Sequence, residues 1–292
     1  MSTRTGVIYR PDFSPDRLRD VAIEAEAAGV DELWVWEDCF QQGGIAQVAV
    51  ALASTERLGV GVGLVPAPLR NVAAAAMEFA TLEAMFPGRV RIAVGHGVQS
   101  WMRQAGAAVA SPMTLLREYV TALRDLLSGA EVSVAGRYVN LSEVRLAYPP
   151  ARRLPILIGG TGPKTLRLAG EIADGVVVDS RYTTRTVLDA IGHVTEGRAA
   201  AEDRPFSTVL FLTCAPGEDS GPRLAEEAAR QEVASDEGVF GVGGSTPEIV
   251  AGLTTYLDAG VDVVALQPVG PLEGMTELIT VAGDVHRHLR DA

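Results

Sequence analysis

The chain has 292 residues, 47% hydrophobic and 21% charged, the balance of an ordinary globular protein, and its length admits one large α/β barrel or two smaller domains. A net charge of −12, from 37 acidic and 25 basic residues, argues against general nucleic-acid binding through phosphate contacts. With no signal peptide, no apolar run of about 18 residues, and two distant cysteines, Cys39 and Cys214, in no zinc or C-x-x-C spacing, the chain is expected to be cytoplasmic, off the membrane and free of metal, with its thiols reduced.

Strand and helix signals alternate from end to end. Thr5–Tyr9 reads as a short buried strand, and Ser14-Pro15-Asp16 opens a helix that Gly29 ends. Glu32–Trp36 is the second strand, followed by an Ala/Val-rich helix over Gly44–Arg57. The third strand is Gly59–Val65, the third helix Val72–Phe86, and Pro87-Gly88 turns into the fourth strand, Arg89–Val94. The fourth helix, Pro112–Leu127, carries Leu115, Leu116, Tyr119, Val120, Leu123 and Leu126 on one face. Alternation around Gly136-Arg137 then predicts a β-hairpin over Glu131–Leu146, inserted after that helix. The rhythm resumes with strands at Leu154–Ile158, Gly175–Val178, Phe206–Thr213 and Val261–Leu266. The helices of this half lie at Pro163–Ala173, Thr183–Ala201, Pro222–Ser235, from Ser245 onward, and at Gly274–Leu289. Eight strands alternating with helices predict a single α/β domain over residues 1–292, a (β/α)8 TIM barrel. A doubly wound sheet is the alternative, and the strand count favours closure.

In such a barrel the site lies where the strands end, in the loops that follow them. Those loops hold Arg10, then Glu37-Asp38-Cys39, Pro66–Arg70, Gly95-His96-Gly97, Gly159–Gly162, Asp179-Ser180-Arg181 and Gln267-Pro268. The third strand has glycine at 59, 61 and 63, which strips one face of side chains. Either something flat approaches the backbone there or the strand turns a tight barrel corner. The run Gly159-Gly160-Thr161-Gly162-Pro163-Lys164 joins a strand end to a helix start, so its backbone N–H groups suit a phosphate, or it is only a tight turn. No Walker A pattern, G-x-G-x-x-G or nucleophile elbow is present. His96, between two glycines at a strand end, is the acid–base candidate, against a purely structural histidine. Glu37-Asp38 either caps the next helix or hydrogen-bonds a ligand ring. Cys39 reads as a small apolar residue rather than a nucleophile, and Trp101-Met102 walls a pocket or joins the core. Arg70 and Lys164 read as surface charges or as partners for an anion.

Four segments occur in a telling order: Leu33-Trp34-Val35-Trp36-Glu37-Asp38, the stretch from Leu58 to Gly97, Ile158-Gly159-Gly160-Thr161-Gly162-Pro163-Lys164, and Gly244-Ser245-Thr246-Pro247-Glu248. In this order they resemble the luciferase-like oxidoreductases that bind FMN or the deazaflavin coenzyme F420, with the F420-dependent group the better match. The resemblance implies hydride transfer between coenzyme F420 and a small organic substrate, by a homodimer. It implies that Gly160, Thr161, Gly162 and Ser180 hold the cofactor's phosphate, that a cis Gly63-Leu64 peptide backs the ring, and that Asp38 lies at the ring. Trp36, Cys39, His96 and Trp101 would wall the substrate pocket. Two departures stand out: Cys39 occupies the position of a histidine in F420-dependent relatives, and Val98-Gln99 the place where some carry a carboxylate. The alternatives are an FMN-dependent monooxygenase using oxygen and a non-catalytic flavin or deazaflavin carrier.

Overall fold

The strands close into a ring. The computed structural model describes residues 3–179, 181–199, 201, 204–233 and 238–291. Its strands are β1 (Arg4–Tyr9), β2 (Glu32–Val35), β3 (Gly59–Pro66), β4 (Val90–Gly95), β5 (Val132–Ala135), β6 (Asn140–Val144), β7 (Ile156–Gly159), β8 (Gly175–Val178), β9 (Ser207–Pro216), β10 (Val242–Gly244) and β11 (Val263–Pro268). Eight of them pair in parallel in the order β1-β2-β3-β4-β7-β8-β9-β11 and return to β1, a closed (β/α)8 barrel. The helices are α1 (Leu18–Ala27), α2 (Gly44–Ala53), α3 (Val72–Met85), α4 (Gln99–Gln104), α5 (Pro112–Leu127), α6 (Pro163–Ile172), α7 (Thr184–Arg198), α8 (Ser220–Arg230), α9 (Thr246–Asp258) and α10 (Met275–Asp291). β5 and β6 form the hairpin expected after Leu127. Glu118 on α5 holds its turn by accepting from the Arg137, Tyr138 and Val139 N–H groups at 2.9, 2.8 and 3.0 Å.

Strand pleating divides the core in two. Val7, Leu33, Val62, Val94, Ile158, Val178, Leu210 and Leu266 face outward to the helices. Ile8, Trp34, Ala93, Leu157, Val177, Val209, Phe211, Val263 and Ala265 fill the barrel interior. The interior is dominated by one ring. Trp34 is fully buried, and its indole lies on the glycine face of β3: a Cβ added at Gly61 would sit 2.5 Å from Trp34 Cε3. The flat object anticipated beside those glycines is therefore the protein's own tryptophan. Its Nε1 donates to Glu32 Oε2 at 2.9 Å, and Glu32, itself 1% exposed, is neutralised by Arg4 and Arg91 at the foot of the barrel. A buried carboxylate is tolerable only with such partners.

The elements depart from expectation mainly at their ends. Ser14 makes no backbone cap; Pro15–Arg17 is a 3-10 turn, and the helix proper begins at Leu18. The second helix stops at Ala53, where Ser54 and Thr55 turn their hydroxyls back to the Val50 and Ala51 carbonyls. β9 runs on to Pro216 because the short, unanticipated β10 pairs with its extension. Residues 234 and 235 of the helix expected over Pro222–Ser235 lie outside the described residues; the helix itself ends at Arg230.

Gly61→Ala is expected to lower stability by about 1–3 kcal/mol in urea denaturation, because an added methyl meets a rigid, fully enclosed ring. Unchanged stability would mean that Trp34 is free to move.

Candidate functional site

The inward alternation of the barrel continues to the strand ends, and that layer forms the mouth. Following Ile8, Trp34, Ala93, Leu157, Val177 and Ala265, the inward positions are Arg10, Trp36, Gly95, Gly159, Asp179 and Gln267. At the end of β3 the Gly63–Leu64 peptide is cis, and the ladder with β4 shifts register between Gly63 and Val65. The Leu64 side chain fills the space left by two glycines. Cβ atoms at Gly95 and Gly159 would meet its methyls at 2.7 and 2.3 Å. Beside it, Trp36 stacks on Phe211, with centroids 6.3 Å apart and planes 19° apart. Leu64, Phe211 and Trp36 make an apolar floor.

Two polar atoms on that floor are left over. Trp36 Nε1 and Gln267 Oε1 are buried and have no hydrogen-bond partner among the described residues, although Gln267 is only 2% exposed. Such atoms are costly unless something brought into the mouth completes them.

Arginine–carboxylate pairs fix the surrounding loops. Arg10 grips both oxygens of Asp12 and donates to the Pro268 and Gly270 carbonyls at 3.2 and 3.1 Å, tying the loop after β1 to that after β11. Glu37 accepts the Gly44 N–H at 2.8 Å, the first residue of α2, and both of its oxygens bind Arg70. Glu37 is thus the helix cap of the pair Glu37-Asp38, and Arg70 is no surface charge: Glu37 on one side and Glu78 on the other hold it. Arg181 binds Asp179 through Nε at 3.1 Å and Nη2 at 2.9 Å.

Asp38 has no such partner. Its half-buried carboxyl makes no hydrogen bond or ion pair among the described residues. Burial raises its pKa, and the charges of Asp179 and Asp12 add to that, against the pull of Arg181. The neighbouring Cys39 thiol is also raised, by burial and then by Glu37 and Asp38. The Cys39–Phe40 peptide is cis and Phe40 is exposed.

On the opposite rim, Gly162 caps α6 and a Cβ there would meet nothing within 4 Å, whereas at Gly160 it would meet Thr165 Cγ2 at 2.7 Å. The Thr161 carbonyl accepts from the Tyr182 hydroxyl at 2.5 Å; burial and Asp179 push that phenol up to about 12. Ser180 lies outside the described residues. His96 Nδ1 is 3.0 Å from the Gly97 carbonyl; a carbonyl only accepts, so in the neutral ring Nδ1 carries the proton and Nε2 keeps the lone pair. Of the pair after it, Met102 is fully buried in the core and Trp101 is half-buried, on the short α4 that sequence periodicity did not reveal. Sequence reasoning also passed over Gln267 as a site residue; its signal was a polar residue in phase with the inward Val263 and Ala265.

Among the described residues no cluster of His, Cys, Asp or Glu is arranged to hold a metal, and no helix is long and apolar enough to cross a membrane.

Known proteins match this chain over most of its length. The sequence profile of the family described as luciferase-like monooxygenase matches residues 1–259. An F420-dependent glucose-6-phosphate dehydrogenase of Beutenbergia cavernae is 31% identical over 238 residues, 75% of this chain and 69% of that protein. A 5,10-methylenetetrahydromethanopterin reductase of Methanolobus tindarius is 27% identical over 177 residues, covering 61% of this chain and 54% of the relative. Among solved structures, an F420-dependent secondary alcohol dehydrogenase bound to an F420–acetone adduct superposes with a TM-score of 0.84. It has 22% identity, and all of both chains is covered.

Both cysteines are expected to be poor nucleophiles. Cys214 is fully buried, its thiol pushed up to about 12, and Cys39 is raised as well. A raised pKa leaves less thiolate at a given pH. A chromogenic disulfide reagent at pH 8 should label one thiol slowly and the second only after denaturation; rapid labelling of Cys39 would contradict the site electrostatics.

Proposed function

The chain belongs to the luciferase-like monooxygenase family, and from that membership we propose that it is an oxidoreductase transferring a hydride between coenzyme F420 and a small organic substrate. The mouth supports the reading. A flat apolar floor of Leu64, Phe211 and Trp36, bordered by the orphaned Trp36 Nε1 and Gln267 Oε1, suits a planar heterocycle with polar edges, and that observation carries the assignment. The relatives' dependence on F420 favours the deazaflavin over FMN.

Bound there, the deazaflavin supplies two-electron hydride chemistry; the protein binds, orients and shields it. Gly63 and Leu64 would support the ring from beneath and Asp38 would meet its edge. The N–H groups of Gly160, Thr161 and Gly162, at the start of α6, would hold its phosphate with the help of the helix dipole. Substrate enters between Trp36, Cys39 and Trp101, with the Nε2 lone pair of His96 as the group that exchanges its proton. The enzyme works in the cytoplasm, with both thiols reduced.

An equilibrium titration of purified protein with F420 and with FMN tests the cofactor. F420 should bind and FMN bind far more weakly; the reverse would make the protein an FMN-dependent monooxygenase. F420 binding with no hydride exchange would leave a carrier. Gly162→Asp isolates the phosphate loop, since the added side chain enters open space and should leave the melting temperature unchanged. It should weaken F420 binding at least about tenfold by setting a carboxylate against the phosphate. Wild-type affinity in this variant would remove the phosphate from the loop. Gly160→Val cannot serve, because it collides with Thr165.

The functional unit is a homodimer formed across α2 and α3. These neighbouring helices expose Ala46, Val50, Ala74, Met77, Ala84 and Met85, while Glu78 is taken up by Arg70 and Glu83 accepts the Gly88 N–H. On a chain of net charge −12, an uncharged two-helix face is the one through which two copies meet without repulsion. Met77→Glu should convert a dimer to a monomer in analytical ultracentrifugation. A wild-type monomer, or a dimer that survives the change, would exclude this face.

A further inference from the structure

The mouth holds three aspartates and two arginines, and the pairing is unequal. Asp12 is bound through both oxygens by Arg10, and Asp179 through both by Arg181. Arg10 is further occupied by two carbonyls, and Arg70, the next guanidinium along the rim, is committed to Glu37 and Glu78. Asp38 is the carboxyl left over. It sits half-buried at the end of β2, facing Asp179 and Arg181 from the β8 loop and Asp12 from the β1 loop, with Glu37 and the thiol Cys39 on either side of it in sequence. Farther out, Arg230 on α8 serves Glu227 and reaches Asp12.

We propose that Asp38 binds the cofactor ring in its protonated form, so that seating coenzyme F420 in the mouth takes up one proton at this carboxyl. The inference rests on the deazaflavin reading above. A planar ring laid on Leu64, Phe211 and Trp36 would exclude the water that still reaches Asp38, while Arg10, Arg70 and Arg181 are each committed to other carboxylates. An unpaired carboxylate under those conditions is better neutral. As the acid, it also gains an O–H donor with which to meet a ring carbonyl or nitrogen. The shift already present without ligand, set by burial and by Asp179, runs in the same direction. Asp38 then stands at the ring edge as a proton-holding group.

The test is the dissociation constant of F420 between pH 5.5 and 8.5, followed by the change in cofactor fluorescence, for wild type, Asp38→Asn and Asp179→Asn. Ionisations of the cofactor itself are common to all three proteins and cancel in ratios. The amide introduced by Asp38→Asn is neutral at every pH, so the ratio of wild-type to variant dissociation constants should rise with pH, approaching about tenfold per unit where a full proton is coupled. In Asp179→Asn the repelling charge is gone and Arg181 is released toward Asp38, so the rise should begin at lower pH. A ratio that stays constant across the range overturns the proposal. Should Asp38→Asn not fold, calorimetric F420 titrations of wild type and Asp179→Asn, each in two buffers of different ionisation heat, decide the matter. At pH 7.5, near the upper part of the range, proton uptake should be smaller in Asp179→Asn, and equal uptake overturns the proposal. No saturable F420 binding by wild type at any pH would instead overturn the cofactor reading on which it rests.

Discussion

One indole organises this barrel. Trp34 occupies the interior volume that eight inward-facing side chains would otherwise share, and β3 accommodates it by carrying glycine at the facing positions 61 and 63. The ring is locked from below by the Glu32 carboxylate and from the side by Phe211, which meets it edge-on at 5.4 Å. Phe211 in turn stacks under Trp36. A column of aromatic rings thus runs from the charged foot of the barrel, where Arg4 and Arg91 neutralise Glu32, to the floor of the mouth. A floor fixed in this way can hold a flat ligand without reorganising, which is what catalysis by orientation needs.

Around that floor the loops are fastened by ion pairs rather than by packing. Arg10 joins the first and last strand loops, Glu37 and Arg70 join the second and third, and Arg181 closes onto Asp179. The Arg10 and Arg70 pairs are part-buried and hydrogen-bonded through two nitrogens to both oxygens, the geometry in which such pairs contribute more than exposed ones; the Arg181–Asp179 pair has the same geometry but is exposed. Their second effect is electrostatic. They commit Arg10, Arg70 and Arg181 to other carboxylates, so in the mouth of an already acidic protein Asp38 has no ion-pair partner beside the apolar floor.

Most of the architecture was legible in the sequence because its signals are local. The β8 strand and α5 were bounded to the residue, since Gly175 and Pro112 punctuate them. What escaped depended on partners far away in the chain. The glycines of β3 announced a flat neighbour, and only the register that sets Trp34 against Gly61 reveals that the neighbour is internal. Arg70 looked like surface charge because Glu37 lies 33 residues away. β10 has three residues and exists only because β9 extends to meet it. The strand-end loops, Gln267-Pro268 among them, were found from the barrel rule, but which of their side chains turn inward required the pleat to be followed from the core outward, and so Gln267 was named without a role.

The same geometry constrains how a substrate can approach. A ring laid on this floor would have one face covered by Leu64, seated where Gly95 and Gly159 lack side chains. The loop after β2 carries Cys39, and the loop after β4 carries His96 and Trp101. Burial, and then the charges of Glu37 and Asp38, disfavour ionisation of that thiol. His96, by contrast, spends its Nδ1 hydrogen on the Gly97 carbonyl and keeps Nε2 uncommitted.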